Sequence, residues 1–206
     1  IFVTVKKRFD KNLRIGYTQT EMVDRVDEIH HELIREALRV TGVSQGLEVT
    51  TMGDIPSEGS GLGSSSTVTV GALQALYTYL GEIVSKERLA REACDIEIGK
   101  LEKPIGIQDQ YIAAYGNLRF FEFCPDGTVQ VEKLELHADL RYELNDRFLL
   151  FFTGISRRAD SVLTEQKSNI KDRMNVLREI KHIAYQAKSE LQNGDLDGFG
   201  SLLHQT

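Results

Sequence analysis

The chain has 206 residues, a net charge of −6, and a composition of 41% hydrophobic and 27% charged residues. This balance is typical of a soluble globular protein and excludes an intrinsically disordered chain. The negative charge argues against nucleic-acid binding through a basic surface, and no apolar run reaches the length of a membrane span.

The first quarter of the chain combines predicted strands with one predicted helix. Ile1–Lys6 and Leu13–Tyr17 have strand patterns with a turn between them, which predicts two paired strands. Apolar residues recur at helical spacing over Val23–Val40, and Leu47–Met52 predicts a further strand.

A run of small residues follows this strand. Gly59-Ser-Gly-Leu-Gly-Ser-Ser-Ser66 precedes a helical pattern that starts near Ser64 and stops at Gly81. Free N–H groups and the positive end of the helix dipole are exposed at a helix start, and small residues let a phosphate approach closely. The run is neither a Walker A loop nor a G-x-G-x-x-G motif. It is either a phosphate-binding loop or an ordinary serine-rich helix cap.

A second helix carries one carboxylate on its apolar face. The signature Ser85-Lys-Glu-Arg predicts a helix from its cap to about Leu101, and Glu97 falls near the middle of the apolar arc. A buried carboxylate is costly unless it is paired or binds a metal. Glu97 is therefore either the partner of a buried arginine or helix terminus, or a magnesium ligand.

A second carboxylate follows twelve residues later, in Pro104-Ile-Gly-Ile-Gln-Asp-Gln-Tyr111. Gly106 opens a loop, and Tyr111–Tyr115 predicts a short helix that Gly116 closes. Asp109 is then either the N-cap of this helix or a general base that faces the serine loop. Spacing alone does not choose between the two.

The remaining elements complete a mixed α+β pattern. Leu118–Phe123 and Val129–Leu136 flank the turn Cys124-Pro-Asp-Gly127 and predict a hairpin. Arg147–Thr153 predicts an apolar strand, and Arg158–Gln192 predicts a long helix that is followed by a short last one. We expect a domain change near Leu144–Asp146. Both ends interrupt predicted elements, so we expect the sequence to be the middle of a longer protein.

Three motifs in this order resemble the GHMP kinases, the family of galactokinase, homoserine kinase, mevalonate kinase and phosphomevalonate kinase. Gly61-Leu-Gly-Ser-Ser-Ser66 is similar to the phosphate-binding motif of that family, and Gly106-Ile-Gln-Asp-Gln110 is similar to the segment with its catalytic aspartate. Within the family, Lys103–Phe123, Phe151–Arg157 and Leu202-Leu-His204 look most like the heptose 7-phosphate kinases.

The resemblance implies a fold and a set of residue roles. The fold would be a ribosomal protein S5 domain 2-like ATP-binding domain over residues 1–145 and part of a ferredoxin-like domain over residues 146–206, truncated at both ends. ATP would be held by the loop residues, Mg²⁺ would bind Ser65 and Glu97, and Asp109 would be the catalytic base. The loop residues are Gly59, Ser60, Gly61, Leu62, Gly63, Ser64, Ser65 and Ser66.

The implied activity is ATP-dependent phosphorylation of a heptose 7-phosphate at its anomeric hydroxyl, for nucleotide-heptose biosynthesis. The alternatives are another sugar kinase of the fucose or galactose type, a catalytically inactive nucleotide or sugar sensor, and a plain structural domain. We expect ATP and a sugar phosphate as ligands, no nucleic-acid or membrane partner, and a monomer or homodimer. Two cysteines, Cys94 and Cys124, fit a cytoplasmic location.

Overall fold

The computed structural model describes residues 1–54, 61–151, 170 and 173–206. The fold is mixed α+β, as predicted. The elements in chain order are β1 (Phe2–Lys7), β2 (Leu13–Gly16), β3 (Thr20–Val23), a 3-10 turn (Val26–Glu28), α1 (Glu32–Thr41), β4 (Leu47–Met52), α2 (Ser64–Leu80), α3 (Lys86–Cys94), a π-helical turn (Asp95–Lys100), α4 (Gln108–Tyr115), β5 (Arg119–Phe123), β6 (Val129–Lys133), α5 (Ala138–Arg147), α6 (Met174–Asn193) and α7 (Leu196–Gln205).

The described residues form two compact units, which divide between Gly116 and Asn117. The first unit contains the four-stranded sheet and helices α1–α4, and the second contains the hairpin β5–β6 and helices α5–α7. The domain boundary predicted after residue 145 stays a prediction.

The sheet of the first unit has the order β1-β4-β2-β3. Strand β4 pairs antiparallel with β1 and parallel with β2, so that Val49 lies between Val5 and Ile15. The predicted pairing of β1 with β2 is therefore wrong. Leu47 and Val49 are fully buried, which suits the inner position of β4, whereas β1 is half-exposed and lies at the edge.

The predicted helix Val23–Val40 begins later than its apolar spacing suggests. The structure has β3 and a 3-10 turn before α1, which starts at Glu32. The carboxylate of Glu21 accepts hydrogen bonds from the backbone N–H groups of His30 and His31, at 2.6 and 2.9 Å. These bonds hold the segment before α1 in a non-helical path, and the imidazole of His31 then caps α1.

Helix α2 packs against both the sheet and its neighbouring helices. Gly71 lies so close to β1 that a Cβ atom there would be 2.9 Å from Val3 Cγ2. The helix ends at Gly81, which has a positive φ of 78°, as predicted. The core that it shares with the sheet and α1 is made of apolar residues that include Leu13, Ile15, Ile34, Leu38, Leu47, Val49, Leu73, Leu76 and Ile96.

The predicted hairpin and C-terminal helices are confirmed in the second unit. Strands β5 and β6 pair antiparallel, and α7 begins after the break at Gly194. The predicted strand Arg147–Thr153 is wrong within the described residues, because Arg147 is the last residue of α5 and none of 148–151 is in a strand. Leu140 and Leu144 contact the core of this unit at helical spacing. Residues 152–153 and most of the first part of the predicted helix, 158–169, lie outside the described residues.

Candidate active site

Helix α2 begins at a glycine turn. Gly61 and Gly63 both have positive φ, 70° and 65°, and Gly63 is the residue before the helix. This conformation is readily available only to glycine, which explains the spacing of the two. The cap residue Gly63 makes no side-chain hydrogen bond to the helix start, and the first N–H groups of a helix have no acceptor within the helix. A glycine turn before a helix start is the arrangement that binds anions in many proteins. The predicted loop residues Gly59 and Ser60 lie outside the described residues.

Asp109 lies directly against this glycine turn. A Cβ atom on Gly63 would be 3.4 Å from both Cγ and Oδ2 of Asp109. The space over the carboxylate is thus kept open by the missing side chain at Gly63. Asp109 is in the first turn of α4, whose N-cap is Ile107, so the alternative that Asp109 is itself the N-cap is wrong.

Glu97 is completely buried, as its place in the apolar arc predicted. It lies in the π-helical turn that continues α3, and such turns recur at functional sites. Its Oε1 accepts a hydrogen bond of 3.0 Å from Nε2 of Gln110, and no arginine in the described ranges pairs with this carboxylate. Its Oε2 has no hydrogen-bond partner within the described residues.

The first turn of α4 links the two carboxylates. Asp109 faces the glycine turn, and its neighbour Gln110 contacts Glu97. Of the seven polar residues that are buried in the described part of the chain, five lie on the first turns of α2, the π-helical turn or the start of α4. These five are Ser64, Ser66, Thr69, Glu97 and Gln110. Within the described residues two polar atoms of this set are buried without a hydrogen-bond partner, Glu97 Oε2 and Gln110 Oε1, and such atoms are costly unless something else binds them.

A set of hydrogen bonds on the other face of α4 holds it against α3. The carboxylate of Glu87 accepts from the hydroxyls of Tyr111 and Tyr115, at 3.3 and 3.0 Å, and from Nε of Arg91 at 2.6 Å. The two tyrosine rings are nearly parallel, with centroids 6.2 Å apart. The position of Asp109 and Gln110 is therefore fixed from both sides of the helix.

Cys94 lies one turn before Glu97 and is not a nucleophile. Burial, with the nearby Glu97 and Glu87 carboxylates, raises the pKa of the Cys94 thiol to about 12. The thiolate is the reactive form, so this cysteine is inert at neutral pH.

The residues present fit a magnesium ion that is shared with a nucleotide. No group of three His, Cys, Asp or Glu side chains in the described ranges could hold a metal by itself. Mg²⁺ is commonly held by one or two carboxylates together with substrate phosphates and water. Glu97 Oε2, buried and without a partner in the part of the chain that is described, is the kind of oxygen that such an ion takes.

Two parts of this site are not predictable from the sequence. Gln110 lies in the segment with Asp109, but its spacing does not indicate that it contacts Glu97. In the sequence, Glu87 belongs to the capping signature of α3 and has no other mark of a site residue. Its i,i+4 spacing to Arg91 was visible in the sequence, whereas its two tyrosine partners come from another helix.

Comparison with known proteins gives one family and several relatives. Residues 25–117 match the model of the GHMP kinases N terminal domain. Over 154 residues the chain is 35% identical to the D-glycero-alpha-D-manno-heptose 7-phosphate kinase of Campylobacter jejuni, which is 74% of this chain and 44% of that protein. It is 30% identical to the L-fucokinase/L-fucose-1-P guanylyltransferase of Bacteroides fragilis over 185 residues, which cover 86% of this chain and 19% of that protein.

A solved structure has a similar fold along the chain. The crystal structure of a D-glycero-D-manno-heptose 1-phosphate kinase from Bacteroides thetaiotaomicron superposes with a TM-score of 0.83 at 25% identity, and the match covers 98% of this chain and 64% of that one. The match to the Campylobacter kinase spans less than half the length of that protein. No helix that the structure describes is long and apolar enough to cross a membrane.

Proposed function

We propose that the chain is an ATP-dependent sugar kinase that phosphorylates a heptose 7-phosphate, because residues 25–117 match the GHMP kinases N terminal domain. The observation that carries this proposal is the position of the Asp109 carboxylate, 3.4 Å from where a Cβ atom on Gly63 would be. The carboxylate therefore lies beside the glycine turn at the start of α2. The 35% identity to a heptose 7-phosphate kinase supports the choice of acceptor.

The loop at Gly59–Ser66 binds the phosphates of ATP. Gly61 and Gly63 have positive φ at the start of α2, and the N–H groups and dipole of a helix start attract an anion. No side chain longer than serine follows Gly63 before Thr67, so the phosphates can approach the backbone.

Ser65 and Glu97 hold Mg²⁺ together with the phosphates. A hydroxyl and a carboxylate are hard oxygen ligands, and Glu97 Oε2 is the buried oxygen that needs a partner. When bound, the ion neutralises charge that develops on the transferred phosphoryl group. The residues of this chain bind and orient the phosphates around it.

Asp109 takes the proton from the attacking sugar hydroxyl. Phosphoryl transfer needs little covalent chemistry, so the site contributes mainly position and charge. The open face of the Asp109 carboxylate, next to the glycine turn, lets a hydroxyl lie between the base and the terminal phosphate. We propose the anomeric hydroxyl as the nucleophile and nucleotide-heptose biosynthesis as the use of the product.

A second acceptor class has its own support. The similarity to an L-fucokinase covers 86% of the chain, so fucose is the alternative to a heptose 7-phosphate. A panel assay separates them: the full-length protein with ATP and Mg²⁺ is given heptose 7-phosphate, fucose or galactose, and ADP release is measured. ADP release with fucose alone would overturn the heptose proposal. ATP binding without ADP release on any acceptor would identify a sensor instead of a kinase.

Asp109→Asn tests the base directly. Asp109 and Asp139 both occupy the second position of a helix whose N-cap makes no side-chain bond, and Asp139 is 92% exposed. Asp109→Asn should reduce kcat by about 10²–10⁴-fold with ATP binding intact, whereas Asp139→Asn should leave kcat unchanged. Similar turnover in both variants would leave Asp109 as a helix-terminus charge and the mechanism without a base.

We propose a cytoplasmic location and small-molecule ligands only. Both cysteines are free thiols, which fits a reducing compartment. Whether the protein is a monomer or a homodimer is a question for light scattering on the full-length form.

A further inference from the structure

Gln110 has a polar side chain at a buried position, where an apolar side chain would cost less free energy to bury. It is completely buried at the start of α4, and its Nε2 donates to Glu97 Oε1 at 3.0 Å. Its own Oε1, like Glu97 Oε2, has no partner within the described residues. A buried amide with one unused oxygen costs free energy, which a purely structural position does not explain.

The direction of the Gln110 amide follows from chemistry. An ionised carboxylate only accepts hydrogen bonds, so the NH₂ group must face Glu97 and the amide oxygen must face away from Oε1. One oxygen of the carboxylate is thereby occupied and the other is left for a different partner. The backbone of Glu97 is fixed as well, because its carbonyl accepts from Lys103 N at 3.0 Å.

We propose that Gln110 is a positioning residue that holds the Glu97 carboxylate with Oε2 presented to the cation, an inference that rests on the proposed magnesium role of Glu97. Glu97 lies in the π-helical turn, and the amide of Gln110 is the hydrogen-bond donor to its side chain among the described residues. Groups that hydrogen-bond to a metal ligand orient it and tune its affinity for the ion.

The same amide also connects the metal ligand to the base. Gln110 and Asp109 are consecutive residues of one helical turn, and the Asp109 carboxylate lies next to where a side chain on Gly63 would be. A shift of the start of α4 would therefore move the base and release Glu97 together. Gln110 acts through Glu97 and does not need to contact either substrate.

Metal affinity distinguishes positioning from packing. The probe is Mn²⁺ in place of Mg²⁺, added to the full-length protein with saturating ADP, and free Mn²⁺ is measured by electron paramagnetic resonance. Gln110→Met keeps the size of the side chain and removes the donor. It should weaken Mn²⁺ binding by about tenfold or more, with ADP affinity in the absence of metal unchanged.

Two further variants make the result decisive. Gln74→Met, at an exposed position in the middle of α2, is the matched control and should leave Mn²⁺ affinity at the parent value. Gln110→Asn shortens the side chain so that the amide no longer reaches Glu97, and it is used if Gln110→Met does not fold by thermal melt. The expected loss is the same.

The outcomes separate this inference from the proposed function. If Glu97→Gln weakens Mn²⁺ binding but the folded Gln110 variant stays within about twofold of the parent, the positioning role is overturned. If Glu97→Gln itself leaves Mn²⁺ affinity unchanged, Glu97 is not a metal ligand. The proposed positioning role of Gln110 is then overturned as well. A lower melting temperature in Gln110→Met with unchanged Mn²⁺ affinity would also overturn the inference, because it would make Gln110 a packing residue.

Discussion

Two buried carboxylates in the first unit have opposite surroundings. Glu21 is saturated: its two oxygens accept from the backbone N–H groups of His30 and His31, and the hydroxyl of Tyr17 donates to it as well. Glu97 is less exposed than Glu21, yet one of its oxygens has no partner in the described residues and the other has only an amide. Both carboxylates are buried, but only Glu21 has hydrogen-bond donors for both of its oxygens among the described residues.

The difference is the one that we expect between a structural carboxylate and a metal ligand. A carboxylate with a full set of donors is stabilised in the protein itself and leaves nothing for a ligand. A carboxylate with a free buried oxygen is stabilised only when something else binds. Within the described residues this cost remains at Glu97 and is avoided at Glu21, where the chain turns into α1.

The largest expected effect comes from Glu97→Gln. Loss of the charged oxygen should reduce magnesium-dependent turnover by at least about 100-fold, since even changes in the neighbours of metal ligands cost 10–100-fold. The melting temperature should be equal to or higher than that of the parent, because a buried charge is removed and the new amide can donate to Gln110. Steady-state kinetics over a range of Mg²⁺ concentrations and a thermal melt measure both. A clear fall in melting temperature would place Glu97 with Glu21 as a structural group.

The same substitution at Glu21 should have the reverse result. In Glu21→Gln one of the two backbone donors would face an NH₂ group, so the free energy of unfolding should fall by about 2 kcal/mol, the scale of a hydrogen bond to a charged group. Turnover per folded molecule should match the parent. Urea unfolding and active-site-normalised kinetics test this pair of results. Equal stability of parent and variant would mean that the hydrogen bonds to Glu21 do not hold the start of α1.

Substitutions at the two glycines of the turn test whether the space next to Asp109, in the region of the proposed site, is used. Gly63→Ala and Gly61→Ala carry similar backbone strain, about 1–2 kcal/mol, because both have positive φ. Only the new methyl group of Gly63→Ala would lie against Asp109. We expect about tenfold lower kcat in Gly63→Ala than in Gly61→Ala at similar melting temperatures. Equal kcat in the two variants would show that the space over Asp109 is not used.

The smallest effect is in the acid dependence of stability. Burial alone would raise the pKa of Glu21, but the bonds from His30, His31 and Tyr17 outweigh it and hold the pKa below the usual glutamate range. Its contribution is then fully present above about pH 4.3 and is lost as the pH falls through the lower pKa of the folded protein. The stability gap between the parent and Glu21→Gln should therefore narrow below about pH 4. A gap that stays constant down to pH 3 would contradict the assignment.

Local patterns in the sequence predicted the helices of the site, and non-local contacts accounted for the errors. Gly81 and Ser85 predicted the end of α2 and the start of α3, because caps depend on a few neighbouring residues. The burial of Glu97 followed from helical periodicity. The pairing of β1 with β4 and the bond between Gln110 and Glu97 join residues 13 or more positions apart, which no local spacing encodes. The roles of Ser65, Glu97 and Asp109 stay predictions.

The order of the strands has a consequence for synthesis on the ribosome. Strand β1 pairs with β4, whose residues are made about 45 positions later, as in the pair Val5 and Val49. At a translation rate of roughly 5–20 residues per second, β4 is synthesised several seconds after β1. During that time the backbone groups of β1 that later bond to β4 do not have that partner, and another chain could pair with them. The pairing of β1 with β4 prevents such contacts only after Met52 has been made.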